Sequence, residues 1–149
     1  MRPFFVVLSS TFFGVGYTPL VPGTAGSLAG LALWLLVRNN IPGQLIISAA
    51  LVVVGFMVCG RMEKLLAKKD PGVVVIDEVL GMFITLCAIP FSIPTVILGF
   101  LLFRILDTLK PFPAGKIQDA HGSLGIMGDD IVAACYANII LNLVLVFSR

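Results

Sequence analysis

The chain has 149 residues, of which 58% are hydrophobic and 12% are charged, and its mean hydropathy is +1.07. A soluble domain of this size carries about 25% charged residues, so this chain has too little polar surface to cover a globule in water. The formal net charge is +2, and the sequence contains no block of basic residues. We therefore expect no nucleic-acid partner. The composition predicts an integral membrane protein in which residues 1–149 form a single compact domain.

The first quarter of the chain contains an apolar segment, residues 4–13, that would either insert as a helix or lie at the membrane interface. The uncharged stretch GYTPLVPGTAGS (residues 16–27) follows, and then an apolar run that predicts a helix beginning near Leu28. Irregular backbone at membrane depth is tolerated where protein buries it or where it lines a watery cavity. Because a helix N-terminus binds anions, we expect Thr24 and Ser27 to help form the uncharged wall of a phosphate pocket. A simple turn followed by a helix cap is the alternative.

Three further apolar runs follow along the chain: Leu45–Gly60, Val79–Phe103 and Ile131–Phe147. Apolar residues fill every face of these runs, which is typical of buried or lipid-facing helices. Pro90 and Pro94 interrupt the second of them, so we expect a hairpin of two short helices that turns at residues 89–94. A first hairpin turns at residues 39–43. The predicted fold is all-α, a compact bundle of short helices with two helical hairpins, a C-terminal helix and active-site loops on one face.

Basic residues follow both predicted hairpins. They are Arg61, Lys64, Lys68 and Lys69 after the first hairpin and Arg104, Lys110 and Lys116 after the second. Two hairpins bring both segments to the same side of the membrane, and the positive-inside rule makes that side cytoplasmic. The stretch at residues 16–27 precedes the first helix and is expected on the same side.

Four of the eight acidic residues form two adjacent pairs, Asp77–Glu78 and Asp129–Asp130, each at the predicted start of a helix. An ionisable residue at the edge of hydrocarbon is costly and therefore indicates a functional site. Clustered carboxylates without histidine or thiolate partners suit a hard cation, with Mg²⁺ preferred. Helix capping is the alternative, and it accounts most easily for Asp129 or Asp130.

Arg104, Asp107 and Lys110 recur every three residues and are expected to share one face of a helix. One acid between two bases suits a site that holds a phosphate beside a metal ion. The alternative is a set of side chains that extends toward the membrane surface and contains a local salt bridge. His121, the one histidine, lies in a Gly-rich loop before Asp129, where it would act as a general acid or base or remain a solvated bystander.

Several nucleophile classes are excluded by their motifs. The sequence has no GxSxG, no nucleotide-binding P-loop, no C-x5-R and no D-x-D, and one histidine excludes a phosphatase that uses two. The remaining chemistry is attack on a phosphoryl centre by metal-activated water, with cationic side chains stabilising the charge.

Four motifs, in order between Gly14 and Ala133, carry a family resemblance: GxGYTPLVPGTAGS, VVIDEVLG, FRILDTLKPFP and HGSLGIMGDDIVA. Together they resemble phosphatidylglycerophosphatase A, a Mg²⁺-dependent bacterial membrane phosphatase. The resemblance implies an all-helical fold in the bacterial inner membrane, crossing it several times, with an active site that faces the cytoplasm. It also implies hydrolysis of phosphatidylglycerol phosphate to phosphatidylglycerol and inorganic phosphate.

The resulting hypothesis assigns a role to each candidate residue. Asp77, Glu78 and Asp130, with Asp129 or Asp107, would hold Mg²⁺ and orient the attacking water. The expected substrate-binding residues are Thr24, Ser27, Arg104, Lys110 and His121, while the acyl chains of the phospholipid remain in the bilayer.

Three other functions are compatible with a small apolar chain of this kind. A Mg²⁺-dependent phospholipid phosphotransferase would need a D-x2-D-G-x2-A-R spacing, which is absent. A small ion or metal transporter would need carboxylates along a path through the membrane, rather than at one end of each helix. A non-catalytic scaffold leaves the convergence of the acidic pairs on one face without explanation.

Overall fold

A computed structural model describes residues 2–148. Within this range all regular structure is helical, and the predicted bundle with two helical hairpins and a C-terminal helix is confirmed. The α-helices are α1 (Pro3–Ser10), α2 (Pro22–Val37), α3 (Ile41–Leu66), α4 (Ile76–Leu86), α5 (Ile93–Leu109), α6 (Ala114–Gln118) and α7 (Ser123–Phe147), with a short 3-10 turn at Val15–Tyr17.

Each hairpin turns just before a proline that begins the returning helix. Pro42 lies in the first turn of α3 and Pro94 in the first turn of α5, where the missing backbone N–H costs no helical hydrogen bond. The Asn40 side chain caps α3 by accepting from the Gly43 amide, and Ser92 caps α5 by accepting from Thr95. The first turn, residues 38–40, is therefore shorter than predicted, and the second, residues 87–92, lies two residues earlier than predicted, because the prolines start helices instead of ending loops.

Two helices begin well before the apolar runs that predicted them. α2 begins at Pro22 instead of Leu28, and α7 begins at Ser123 instead of Ile131. The expectation of irregular backbone at residues 22–27 was therefore wrong. Glycine and hydroxyl residues are poor helix formers by propensity, but tertiary packing overrides so weak a preference.

Two of the helices are longer than the short helices that we predicted. α3 has 26 residues and α7 has 25, and both are long and apolar enough to cross a membrane by length and composition alone. Only 28% of the most apolar 18-residue window of each is buried within the protein. Their large outward-facing apolar surface distinguishes them from the core helices of a soluble protein.

The short helix α4 lies at the centre of the bundle and packs against α2, α3, α5 and α7. Nine of its 11 residues are buried, among them Leu80 and Phe83. The backbone of α2 comes very close to α4, since a Cβ added at Gly30 would lie 2.3 Å from the Val79 carbonyl oxygen. Small residues at a helix interface allow two backbones to come this close.

The N-terminal segment, residues 4–13, is largely helical. Its helix, α1, packs along α3 and ends at Ser10, whose carbonyl accepts a hydrogen bond from the Val75 amide at 2.9 Å. Val75 is the N-cap of α4. The return of the chain after α1 therefore helps to fix the start of the central helix.

Candidate active site

Three carboxylates from two helices meet at one point in the bundle. Asp77 and Glu78 lie in the first turn of α4, and Asp130 is the eighth residue of α7. One carboxylate oxygen from each lies within 4.8 Å of the other two. Asp77 and Asp130 are buried and Glu78 is partly buried. The structure thus joins one whole predicted acidic pair with one member of the other.

Helix capping does not account for these residues. The N-cap of α4 is Val75, and it has no side-chain cap hydrogen bond. Asp129 and Asp130 are the seventh and eighth residues of α7, beyond the positions that an N-cap side chain occupies. All four acidic residues therefore lie within helices instead of at cap positions.

Buried carboxylate oxygens at this point have no hydrogen-bond donor among the described residues. They are Asp77 Oδ1, Glu78 Oε2, Asp129 Oδ1 and Asp130 Oδ2. A buried polar atom without a partner is costly, and each one needs an explanation. A set of carboxylate oxygens without nitrogen or sulfur donors is what a hard divalent cation prefers. The residues present therefore fit such a cation.

Two cationic side chains lie beside the carboxylates, and each is paired with an acid. Arg104 Nη1 donates to Asp107 Oδ2 at 2.9 Å within α5. Lys110 Nζ donates to Asp129 Oδ2, which joins the end of α5 to α7. Lys110 is the C-cap of α5 and has a left-handed backbone, with φ of 46°. Asp129 thus has a basic partner, whereas its neighbour Asp130 belongs to the carboxylate cluster.

The pKa of Lys110 is raised above its ordinary value. Burial alone lowers this pKa, but the hydrogen bond to Asp129 and the negative charges of Asp129, Asp107 and Asp130 outweigh the effect of burial. Lys110 therefore keeps its positive charge throughout the neutral pH range. Asp107 also interacts by charge with Asp130 and Glu78, which places it next to the cluster.

The N-terminus of α2 lies directly against this group. A Cβ added at Gly23 would lie 2.5 Å from Glu78 Oε1 and 3.5 Å from Arg104 Nη1. Thr24, the next residue, is partly buried in the first turn of the same helix. Ser27 is fully buried, and its hydroxyl donates to the Gly23 carbonyl at 3.0 Å. Ser27 therefore supports the helix start and has no free proton to offer a phosphate.

His121 lies away from these residues. Its side chain is 82% exposed, and Nδ1 is 3.5 Å from Glu63 Oε1 near the end of α3. Its acidic neighbour is thus a carboxylate outside the cluster of three. Sequence reasoning did not single out Glu63. The available signal was that it is the first acidic residue of the chain and lies three residues after an apolar run.

A family model and two relatives among known proteins carry the same family name. The family model described as phosphatidylglycerophosphatase A matches residues 8–145. An Escherichia coli protein named phosphatidylglycerophosphatase A is 42% identical over 125 residues, which cover 81% of this chain and 72% of the relative. A Haemophilus influenzae protein of the same name is 38% identical, with 87% of this chain and 82% of the relative covered.

A third relative, from Bacteroides thetaiotaomicron, bears the name "Putative phosphatidylinositol-3-phosphatase". It is 37% identical over 150 residues, which cover 94% of each chain. No solved structure matches the chain significantly. The match over residues 8–145 contains every carboxylate and cation of the site described above, and the chain belongs to the phosphatidylglycerophosphatase A family.

Proposed function

We propose that this protein is a membrane lipid phosphatase that hydrolyses phosphatidylglycerol phosphate to phosphatidylglycerol and inorganic phosphate. The observation that carries the proposal is the meeting of Asp77, Glu78 and Asp130, with unpartnered buried oxygens, beside two basic side chains. Family membership supports the choice of substrate, because two relatives carry the name of this activity.

The basic residues would bind the phosphomonoester. Arg104 and Lys110 are held in place by Asp107 and Asp129, so both cations have fixed positions before substrate arrives. Pre-positioned cations stabilise the charge that develops on the phosphoryl oxygens and need no reorganisation during the reaction. The positive end of α2 at Gly23 adds a further attraction for an anion.

The three clustered carboxylates are proposed to hold Mg²⁺, and Asp129 and Asp107 are proposed to act mainly through Lys110 and Arg104. When bound, the cation would supply positive charge to the phosphoryl group and make water a better nucleophile. In the proposed reaction water attacks phosphorus, the P–O bond to the headgroup oxygen breaks, and that oxygen takes up the proton that the water loses, which gives phosphatidylglycerol and inorganic phosphate.

A membrane location follows from the same proposal. The substrate is a phospholipid, and α3 and α7 expose apolar surface over lengths that could cross a bilayer. The basic segments after α3 and α5 lie at the same end of the bundle as the site, which favours a cytoplasmic active site under the positive-inside rule. We propose that the lipid remains in the bilayer while its phosphate enters from this end.

The Bacteroides relative makes phosphatidylinositol 3-phosphate a second candidate substrate. Both lipids present a phosphomonoester on a polyol headgroup, so the same carboxylates and cations would serve either one. Arg104, Lys110 and the start of α2 contact phosphate under this proposal, and they would not by themselves distinguish the two headgroups.

Phosphate release in mixed micelles tests the proposal. Purified protein would be assayed on phosphatidylglycerol phosphate and on phosphatidylinositol 3-phosphate, each with Mg²⁺ and with a chelator. We expect Mg²⁺-dependent release that is fastest from phosphatidylglycerol phosphate. Faster release from phosphatidylinositol 3-phosphate would make that lipid the preferred substrate instead. Equal release with Mg²⁺ and with the chelator would refute the role of the metal.

A further inference from the structure

The hydroxyl of Ser123, the first residue of α7, is bonded to the backbone of α3. Its Oγ accepts a hydrogen bond from the Gly60 amide at 2.8 Å and donates one to the Phe56 carbonyl at 2.7 Å. These are the two groups, four residues apart, that an α-helix normally pairs with each other. The Ser123 hydroxyl thus bridges one turn of α3 and ties the start of α7 to it.

Two neighbouring residues strengthen this junction. The Glu63 carboxylate accepts a hydrogen bond from the Gly122 amide at 3.1 Å, and Gly122 is the N-cap of α7. Gly60 has no side chain and leaves room for this contact, because an added Cβ would lie 3.0 Å from both the nitrogen and the Oγ of Ser123. We call Gly60, Glu63, Gly122 and Ser123 the α3–α7 clamp.

The clamp lies on the same face of α7 as a residue of the carboxylate cluster. Asp130 follows Ser123 by seven residues, which is nearly two full turns and about 10 Å along the helix axis. Met127 lies between them on that face and contacts α3 as well, since a Cβ added at Gly55 would lie 2.3 Å from its terminal methyl carbon. The contacts with α3 therefore fix both the rotation and the height of α7.

Rotation matters because adjacent helical residues point about 100° apart. A small turn of α7 would move Asp130 away from Asp77 and Glu78, and a shift along its axis would have the same effect. Within the described residues, α3 contributes no carboxylate to the cluster of three. Its contacts with Ser123, Gly122 and Met127 contribute to the site by holding α7 in place.

We propose that the α3–α7 clamp sets the position of Asp130, and that Glu63 and Ser123 are positioning residues for the carboxylate site. The inference rests on the proposed function, in which Asp77, Glu78 and Asp130 hold a divalent cation. Glu63 acts through its hydrogen bond to the start of α7, so an uncharged acceptor of the same shape serves equally well.

The test compares four variants in detergent micelles: Ser123→Ala, Glu63→Ala, Glu63→Gln and Ser92→Ala. Ser92→Ala is the matched control, because it removes a helix-capping hydroxyl from α5 at the opposite end of the bundle. The affinity of each variant for Mn²⁺, used as a probe in place of Mg²⁺, is measured by calorimetry. The kcat and KM values are measured for phosphatidylglycerol phosphate. Loss of outer-shell support for metal ligands typically weakens metal binding by about 10-fold to 100-fold.

We expect Ser123→Ala and Glu63→Ala to weaken Mn²⁺ binding by about 10-fold and to lower kcat with little change in KM. Glu63→Gln and Ser92→Ala should resemble the unmodified protein. Unchanged Mn²⁺ affinity and kcat in both alanine variants would overturn the clamp, as would a Glu63→Gln variant as impaired as Glu63→Ala. If the unmodified protein releases phosphate without metal, the proposed metal site is refuted. The kcat values of the alanine variants would then test the clamp by themselves.

Discussion

At position 23 the absence of a side chain makes room for a catalytic group proposed here. The carboxylate of Glu78 occupies the space that a Cβ would fill, and Arg104 borders the same space. The conflicting atom is the end of a flexible side chain, so an alanine could be accommodated by moving that carboxylate. A change of one methyl group should thus disturb the site without disturbing the fold.

We predict that Gly23→Ala lowers turnover by about 10-fold or more, since displacement of catalytic groups by about 1 Å can cost 100-fold. Thermal stability should stay the same or rise slightly, because alanine is a better helix former than glycine. Gly72→Ala is the control, as an added Cβ there has open space. Equal activity of the two variants would remove Gly23 from the site.

The sequence predicted which carboxylates lie at the site, but not which of them join the cluster and which pairs with a basic side chain. Asp77, Glu78 and Asp130 could be singled out because charges are costly beside apolar runs. The separate partnership of Asp129 with Lys110 depends on the rotation of α7, and that rotation depends on contacts with α3 about two turns away. An apolar pattern alone does not contain this information.

Among the helices, the packing of α2 on α4 connects the fold to the site. Gly26 and Gly30 lie one turn apart in α2 and face Val75 and Val79 of α4. This is the small-xxx-small pattern of closely packed membrane helices. The pattern explains why α2 begins earlier than its apolar run, because the glycines of GTAGSLAG are interface residues of a helix.

Gly30→Ala should therefore destabilise the protein by about 1–3 kcal/mol, the usual cost of overpacking a core. The added Cβ would lie 2.3 Å from the Val79 backbone carbonyl, which can move only if the two helices separate. Thermal unfolding in detergent measures the effect, and Gly72→Ala again provides the control. A melting temperature equal to that of the control would contradict this account of the α2–α4 interface.

At the scale of the whole molecule, charge is distributed unevenly along the bundle axis. The starts of α2, α4 and α7 and the ends of α3 and α5 lie at one end, together with the carboxylates. The opposite end contains the two hairpin turns, where Arg38 lies 4.0 Å from the centre of the Phe91 ring. A chain inserted in this way would present its two ends to different compartments.

We predict that a reporter enzyme active only in the periplasm is active when fused after Phe147 and inactive when inserted at residues 67–70. The reason is that α7 starts at the site end and finishes at the opposite end, while residues 67–70 follow the end of α3. The reverse pattern would place the active site outside the cytoplasm, and equal activity at both positions would contradict the spanning arrangement.

The central claim is that Asp77, Glu78 and Asp130 together hold the metal ion needed to hydrolyse a lipid phosphate. Its most direct test is phosphate release from phosphatidylglycerol phosphate over a range of Mg²⁺ concentrations for Asp77→Asn, Glu78→Gln and Asp130→Asn. The control is Asp119→Asn, which changes an exposed acid outside the cluster. We predict that each of the three loses at least about 100-fold in turnover while remaining folded, the scale expected when one stabilising group is removed. Turnover equal to that of Asp119→Asn in any of them would contradict the claim for that residue.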